Sequence, residues 1–274
     1  MKRIIVLSII CFLLADLLML NISKQKPIIK KETLALKFDP KVIKLSFPAF
    51  SECISDIIYM RLCVFFGEKM FTNVEPQNWG WILNNINTIT TIDPYYFDPY
   101  YMTGTIISWE VPKSLLNEVN EILKKGLNYV SDFRIPFFLG FNYFYFLDNK
   151  EKGAYYLKIA SERKNSPKYL PLLISRLYTK SGKIDTAIAI TEEQLKREKN
   201  KDYRKLLEKR LKALYILKQL QSALNLYQKK FGYCPKTLQE LKQKGIIAKI
   251  PKDPYEGEFY IEKDCRIWTT SNLR

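Results

Sequence analysis

The side chains available for chemistry in this 274-residue chain are carboxylates, lysines, tyrosines and cysteines, because the sequence contains no histidine. The absence of histidine excludes catalysis by Ser-His-Asp and Cys-His nucleophiles, and it excludes His-ligated zinc, facial-triad iron and His-ligated haem. Carboxylate catalysis of the glycosidase type remains open, with Glu110, Asp132 and Asp148 as candidate residues. No pair among them stands out from ordinary surface charge. We therefore expect no catalytic residue, no cofactor and no metal ligand, and keep a helical carboxylate enzyme as an alternative.

The five cysteines fall into three groups. Cys11 lies in an apolar run near the amino terminus. Cys53 and Cys63 lie in a segment of helical pattern, about 15 Å apart along a helix axis, which is too far for a disulfide. Cys234 and Cys265 flank the last module and can pair in an oxidising compartment, with two small buried thiols as the alternative.

The net charge of +16 comes mainly from lysines spread along segments of helical pattern. Arginine, which most often reads base edges in nucleic-acid complexes, is scarce. We interpret the charge as a solvated lysine-rich helical surface, so nucleic acid is not an expected partner. Lysine-mediated binding of nucleic acid or anionic lipid stays as a second alternative function.

The amino terminus has the pattern of a membrane signal anchor. Two basic residues precede an apolar run, Ile4–Leu20, that is interrupted by Asp16 and followed by lysines. A run of about 17 residues is at the short end for spanning a bilayer. No small-residue cleavage motif follows it. We predict an uncleaved anchor over residues 1–23, with a cleaved signal peptide or a buried soluble helix as alternatives.

The charges around the apolar run give opposing signals about its orientation. The basic amino end favours a cytoplasmic position, whereas the lysine cluster after the run pulls the other way. Long domains translocate largely regardless of their charge. We therefore expect a single-pass protein of the bacterial inner membrane whose bulk lies in the periplasm.

The rest of the chain divides into a linker with an entry helix (residues 24–75), a set of helix pairs (76–230) and a terminal module (231–274). Apolar residues recur at helical spacing through the middle region, and prolines and glycines interrupt them. The predicted helices are Trp79–Ile92, Tyr95–Trp109, a helix opened by Pro112, Phe137–Leu147, Lys150–Ser161, Pro167–Thr179, Lys183–Glu198 and Tyr203–Lys230.

The helix pairs repeat with a period of 33 to 34 residues. The recurring positions are Leu123, Leu157 and Ile190, then Ala154 and Ala187, then Gly126 and Ala160. Helix–turn–helix units with this period resemble tetratricopeptide repeats (TPR). The resemblance implies a curved right-handed solenoid whose concave groove takes a peptide or protein partner. A non-repetitive helical bundle is the alternative.

Aromatic residues are dense in two stretches, 95–101 and 137–146. Their density exceeds what one helix face can bury, and we expect neighbouring helices to cover most of them. Any remainder would form an adhesive surface for a partner protein.

The terminal module carries a series of spaced turn and helix signals. They are Tyr227, Gly232, Pro235, Leu238, Leu241, Gly245, the run Pro251-Lys252-Asp253-Pro254, and Gly257. This series resembles the carboxy-terminal part of the major pseudopilins of type II secretion. Two departures limit the resemblance: the amino terminus lacks the prepilin processing motif, and the acidic calcium loop is missing. Calcium is therefore not expected, and Asp253 is interpreted as a turn former.

Local rules add detail to this module. Gly232 should end the long helix, and Thr237 should cap the short helix with Glu240 in capping-box spacing. Residues 259–261 and 267–269 should form a hairpin. We expect the module to cover the open apolar face of the last repeat helix.

The predicted fold class is mostly α, with an anchor helix, a TPR-like solenoid and a small α+β cap made of a helix and a β-hairpin. The predicted function is that of a non-enzymatic, membrane-anchored scaffold or adaptor that binds protein partners through the repeat groove. Bacterial envelope, pilus or secretion assembly is the candidate setting, and this rests on fold-level analogy.

Overall fold

The computed structural model describes residues 39–69 and 74–274, and there the protein is mostly helical with one small antiparallel sheet near its carboxy terminus. This confirms the mostly α class and the terminal hairpin. The predicted anchor, residues 1–23, lies outside the described residues. Within the described ranges, every helix is too short or too polar to cross a bilayer.

Twelve helices and two strands account for the regular structure of the described residues. The helices are α1 (Pro40–Ser46), α2 (Ser51–Lys69), α3 (Trp79–Ile92), α4 (Phe97–Met102), α5 (Ser108–Glu110), α6 (Leu116–Leu127), α7 (Arg134–Phe141), α8 (Lys150–Ser161), α9 (Leu170–Lys180), α10 (Ile184–Arg197), α11 (Lys201–Phe231) and α12 (Leu238–Gln243). The strands are β1 (Phe259–Ile261) and β2 (Ile267–Thr269), paired antiparallel with Tyr260 opposite Trp268. Short 3-10 turns at 48–50, 76–78 and 113–115 precede three of the helices.

Three helix starts are fixed by side-chain caps. The side chains of Asp39, Asn149 and Asn200 accept hydrogen bonds from backbone N–H groups in the first turns of α1, α8 and α11. Each cap satisfies donors that have no partner inside the helix. At the other end of α11, Gly232 adopts a left-handed conformation (φ 81°), as predicted.

The sequence period coincides with the spacing of the helix pairs. Helices α6, α8 and α10 begin at residues 116, 150 and 184, which is a constant spacing of 34. The small residues Ala154 and Ala187 and the leucines Leu123 and Leu157 are all fully buried. Each helix from α7 to α11 packs against the next one along the chain.

Two segments interrupt the regular helices with wider π-helical turns, which the sequence pattern did not predict. They are Thr103–Ile107, which joins α4 to α5, and Asn142–Phe146, which extends α7. The buried Asn142 Nδ2 donates to Ser108 Oγ and to Asn120 Oδ1, both at 2.9 Å. These two bonds link the second π segment to α5 and to α6 through polar groups inside the core.

Two glycines allow helices α7 and α8 to approach each other closely. A Cβ atom on Gly140 of α7 would lie 2.9 Å from the carbonyl oxygen of Gly153 and 2.8 Å from Leu157 Cγ. A Cβ atom on Gly153 of α8 would lie 2.6 Å from Phe144 Cβ. The α7–α8 crossing therefore depends on backbone-to-backbone contact that only glycine allows.

We expect Gly140→Ala to destabilise the protein by about 2 kcal/mol, because the new methyl group meets backbone that cannot move aside. Gly80→Ala is the matched control. It lies in α3 with nothing within 4 Å of the added Cβ, and should stabilise the protein by about 0.5 kcal/mol. Urea unfolding followed by circular dichroism measures both changes, and a stabilising Gly140→Ala would contradict the crossing described here.

The apolar core has two main parts. The first is built from α2 to α7 and the second from α8 to the terminal hairpin. The second part includes Leu217, Leu224 and Tyr227 on α11, which share a cluster with Leu241 and Trp268 of the terminal module. The module thus covers an apolar face of α11, as predicted.

A disulfide between Cys234 and Cys265 ties the end of α11 to the hairpin loop. The sequence left open a disulfide or two buried thiols at these positions, and the structure contains the disulfide. Cys53 and Cys63 remain free, as the helical spacing predicted.

Two local predictions for the module have different outcomes. Asp253 is a turn former: its Oδ1 accepts from Tyr255 N at 2.8 Å. The predicted capping role of Thr237 is wrong, since its side chain makes no cap hydrogen bond. Glu240 does not complete a capping box either, because it accepts from the backbone N–H of Lys236 at 3.0 Å, one residue before the cap.

Candidate functional site: a tyrosine–lysine cleft

The three carboxylates considered for glycosidase chemistry do not form a catalytic pair. Asp132 makes a two-pronged ion pair with Arg134, whose Nη2 lies 2.8 Å from Asp132 Oδ2, and this holds the pKa of that carboxyl below its usual range. Asp148 is exposed and pairs with Lys150 at 2.6 Å, which also lowers its pKa. Glu110 lies on the exposed end of α5. None of the three lines the clefts described below.

The described residues contain no group of three or more side chains able to hold a metal ion. The terminal module has a cavity of about 680 Å³, and three carboxylates, Asp253, Glu256 and Glu258, are among the residues that line it. The buried Asp253 is fully engaged, because its Oδ2 also accepts from Ser271 Oγ at 2.7 Å and from Thr269 Oγ1. Glu256 and Glu258 are exposed to solvent. This arrangement fixes the Pro-x-Asp-Pro turn and leaves no carboxylate pair poised for acid–base work.

The dense aromatic stretches are only partly covered. One cluster of rings contains Trp109, Phe141, Tyr145 and Phe146. The centroid of the Phe141 ring lies 5.7 Å from that of Trp109 and 5.0 Å from that of Tyr145. Trp109 and Tyr145 are nevertheless 54% and 57% exposed. Of the twelve rings in the two stretches 95–101 and 137–146, Tyr95, Tyr101 and Tyr145 are exposed and the other nine are partly or fully covered, so most but not all of the rings are covered, as the sequence predicted.

A second cleft lies where the first helices of three successive pairs face one another. It has a volume of about 410 Å³. Its lining comes from α6, the π segment after α7, α8, α9 and the start of α10. The lining residues are Lys124, Tyr143, Glu151, Lys152, Tyr155, Tyr156, Tyr178, Lys183 and Thr186. We call this surface the tyrosine–lysine cleft.

Tyr143 organises the aromatic part of the cleft. Its ring stacks on Tyr156 with centroids 5.4 Å apart and planes 9° apart, and Tyr155 meets Tyr156 edge-on at 5.0 Å. The ammonium groups of Lys124 and Lys152 lie 6.0 and 5.4 Å from the centroid of the Tyr143 ring. These distances are those of cation–π contacts, which hold the two lysines beside the aromatic wall.

The charges of the cleft are positive overall at neutral pH, because three lysines and one glutamate line it. Lys183 pairs with that glutamate, Glu151, at 2.5 Å. Lys124 pairs with Glu121 at 2.6 Å, and this hydrogen bond raises the pKa of Lys124. Lys152 contributes its charge directly to the cleft, beside Tyr143.

The tyrosines supply neutral hydrogen-bond donors. Burial raises the pKa of the Tyr156 and Tyr178 hydroxyls, so both stay protonated at neutral pH. A phenol can donate one hydrogen bond while its ring provides apolar contact area. The cleft therefore combines ammonium groups, hydroxyl donors and flat apolar surface, a combination suited to binding an acidic polypeptide segment.

Sequence reasoning did not single out this cleft. A signal was present in α8, where Tyr155 and Tyr156 lie between the buried Ala154 and Leu157. Two adjacent tyrosines cannot both point into one helix seam, so at least one must line a surface. The lysines gave no such signal, because lysine is common all along these helices.

No protein-family model matches the chain, and no curated protein sequence or solved structure matches it.

Proposed function

We propose that the protein is a non-enzymatic, membrane-anchored scaffold with TPR-like repeats, and that it binds an acidic segment of a partner protein in the tyrosine–lysine cleft. The observation that carries this proposal is the lining of the cleft. Three successive pairs contribute side chains from helices that begin 34 residues apart. A groove running across several repeats is the usual binding surface of helical-repeat proteins.

The chemistry of the lining favours an acidic polypeptide over other ligands. Carboxylates of the partner can pair with the ammonium of Lys152 and with Lys124, which are already held beside Tyr143. The tyrosine hydroxyls can donate to backbone carbonyls, and the rings can pack on apolar side chains. Aromatic residues of this kind are enriched among the anchors of protein interfaces.

The membrane setting rests on the amino-terminal sequence and on the disulfide. The apolar run Ile4–Leu20 supports a single-pass inner-membrane anchor. The Cys234–Cys265 bond supports a periplasmic location for the bulk of the chain, because disulfides persist in oxidising compartments. The pseudopilin-like terminal module supports a role in pilus, secretion or envelope assembly, by analogy of fold alone.

Thiol labelling of intact cells tests the orientation. Cys63 is exposed on α2 and free, so it can report its compartment directly. In a chain whose other free cysteines are replaced by serine, a membrane-impermeant maleimide should label Cys63 without cell lysis. Labelling that requires lysis would place the bulk of the chain in the cytoplasm.

Binding of a defined probe tests the cleft. The probe is a short fluorescein-labelled peptide of alternating Asp and Phe, added to the full chain in detergent micelles, with a Lys-Phe peptide as the reversed-charge probe. We expect the acidic peptide to bind and the basic one not to bind. Lys152→Glu should weaken acidic-peptide binding by about tenfold or more, because it places a like charge beside the ligand.

Lys212→Glu is the matched control for that experiment. Lys212 is exposed on α11, outside the cleft, and the substitution makes the same change in net charge. It should leave the dissociation constant within about twofold, since a distant surface charge is screened by salt. Equal weakening by the two variants would mean that the peptide senses the overall charge of +16 and does not occupy the cleft.

A further inference from the structure

The outer face of α2 carries a continuous apolar stripe that nothing in the described part of the chain covers. Ile57, Met60 and Val64 are 55%, 57% and 60% exposed, and Cys53 is exposed on the same face. Phe50, just before the helix, is 65% exposed. Such a row of large apolar side chains in contact with water is unusual for a helix that already belongs to a folded core.

The opposite face of α2 is already fully used. Ile58, Leu62 and Phe65 are buried, and they pack into the cores formed with α3 and the following helices. The helix is therefore apolar on both sides. A helix that is apolar all round is normally buried all round, so its outer face requires a further partner.

The spacing of the outer stripe is that of a coiled-coil seam. From Phe50 the stripe continues through Cys53, Ile57, Met60 and Val64 in alternating steps of three and four residues. These are the a and d positions of a heptad, with Ile57 and Val64 at a and Cys53 and Met60 at d. Within parallel coiled coils, β-branched residues at a favour two strands over three or four. A stripe with this register is complementary to a second copy of itself.

The charges beside the stripe also favour a parallel second copy. Asp56 occupies a g position and Arg61 the e position five residues later, and in a parallel pair g of one helix faces e of the other. An antiparallel pair would bring g against g and e against e, so like charges would meet. Within its own chain Arg61 lies over the Trp81 ring at 5.7 Å, at the edge of the stripe.

We propose that the outer face of α2 is a homodimer seam, on which a second copy of this chain packs its own α2 in parallel. The parallel orientation rests on the anchoring part of the proposed function. Two copies inserted in one bilayer through residues 1–23 enter the same side with the same polarity, so a two-fold axis along the membrane normal relates them. The tyrosine–lysine cleft takes no part in this contact.

Two features reduce the free-energy cost of the pairing. Helix α2 is about 28 Å long and is held folded by its inner face, so no helix has to form on binding. Confinement to a membrane raises the effective concentration of the partner copy. We expect a seam of about two heptads, which would be marginal between free peptides, to suffice under these conditions.

Cysteine crosslinking of the full chain in membranes tests the seam. In a parallel pair the two Cys53 residues, at d, face each other across the two-fold axis, whereas Cys63, at g, lies at its side. A chain with Cys53 as its one free thiol (Cys11→Ser, Cys63→Ser) should form a disulfide-linked dimer with a mild copper–phenanthroline oxidant. The chain that keeps Cys63 instead should crosslink at least about fivefold less.

A charge in the seam should abolish the pairing. In the Cys53 background, Ile57→Lys should lower the crosslinked fraction by about tenfold or more, because two lysines would be buried against each other. Leu226→Lys is the matched control: Leu226 is 53% exposed on α11, and its substitution should leave crosslinking unchanged. Since Ile57 points to solvent in one chain, circular dichroism should show both variants folded.

Three outcomes would overturn the proposal. The first is equal crosslinking through Cys53 and Cys63 with no effect of Ile57→Lys, which would indicate random collision. The second is an absence of dimers in membranes that retain the protein. The third, seen when Cys11 is restored, is an intrachain Cys11–Cys53 bond, which would make the amino-terminal segment of the same chain the occupant.

The test separates this seam from the proposed function. Alkaline carbonate extraction of the same membranes reports on the anchor, and Lys152→Glu reports on the cleft. A chain that stays in the membrane and binds the acidic peptide without crosslinking would refute the dimer alone. A chain that crosslinks through Cys53 but washes off the membrane would refute the anchor and leave the dimer standing.

Discussion

Replacing Arg210 with methionine should destabilise the protein by about 3 kcal/mol and lower its unfolding temperature by roughly 10 °C. Arg210 is only 3% exposed, although it lies on the long helix α11. Its guanidinium donates to Leu172 O at 2.7 Å, to Ser175 Oγ at 2.8 Å and to Tyr255 Oη at 3.2 Å. It also donates to the carbonyl of Leu273. One side chain thus joins α11, α9 and two separate segments of the terminal module, the turn at Tyr255 and the carboxy-terminal residues at Leu273.

Methionine keeps the length of the side chain and removes its donors. The carbonyls of Leu172 and Leu273 would lose this donor inside the core, and a buried acceptor left without a partner is costly. Arg197→Met is the matched control. Arg197 is exposed on α10 and pairs with Glu193 at 2.6 Å, so its loss should cost less than about 0.5 kcal/mol. Thermal unfolding by circular dichroism measures both, and equal effects would contradict the role of Arg210.

Removing the Cys234–Cys265 bond should cost about 3.5 kcal/mol of unfolding free energy. The bond closes a loop with a sequence separation of 31 residues, and a crosslink of that span restricts the unfolded chain by about this amount. We expect Cys234→Ser with Cys265→Ser to lower the urea midpoint clearly. Dithiothreitol should have the same effect on the unaltered protein.

The free cysteines supply the control for the disulfide. Cys53→Ser with Cys63→Ser changes two exposed thiols and should leave the urea midpoint unchanged when measured in detergent. If reduction of the unaltered protein did not move the midpoint, the terminal module would be held by its apolar contacts alone. Tyr227, Leu241 and Trp268, all buried, would then account for its attachment.

Much of the fold was predictable because it depends on local patterns. The 34-residue period appears in the sequence as recurring small residues, and it appears in the structure as the spacing of α6, α8 and α10. The hairpin strands were predicted at 259–261 and 267–269, where turn residues bound short β-forming runs. Each helix and each strand in these two features is specified by residues close to it in the sequence.

Other features depend on contacts between distant residues and could not be predicted in the same way. The π segment after α7 coincides with hydrogen bonds from Asn142 to Ser108 and Asn120, on two other elements. Whether two cysteines form a disulfide depends on the redox compartment as well as on their spacing, so the Cys234–Cys265 bond could not be predicted from spacing alone. The cleft draws residues from five elements, so no single stretch of sequence contains it.

Arg210 is a case in which a signal existed but was not used. It lies three residues after Leu207 and next to Leu211, both of which are buried, so it falls on the inner face of an amphipathic helix. A charged residue at such a position must find several hydrogen-bond acceptors. The pattern therefore indicated a buried arginine, and the structure identifies its partners.

Site-specific photocrosslinking in living cells tests the central claim, that the tyrosine–lysine cleft holds a partner protein. A benzophenone amino acid replaces Tyr155, which is 55% exposed in the cleft, and in a control replaces Tyr215, which is 48% exposed on α11. We predict one discrete adduct from position 155, absent from position 215 and lost when Lys152→Glu is added. No adduct at position 155, or the same adduct from both positions, would contradict the account.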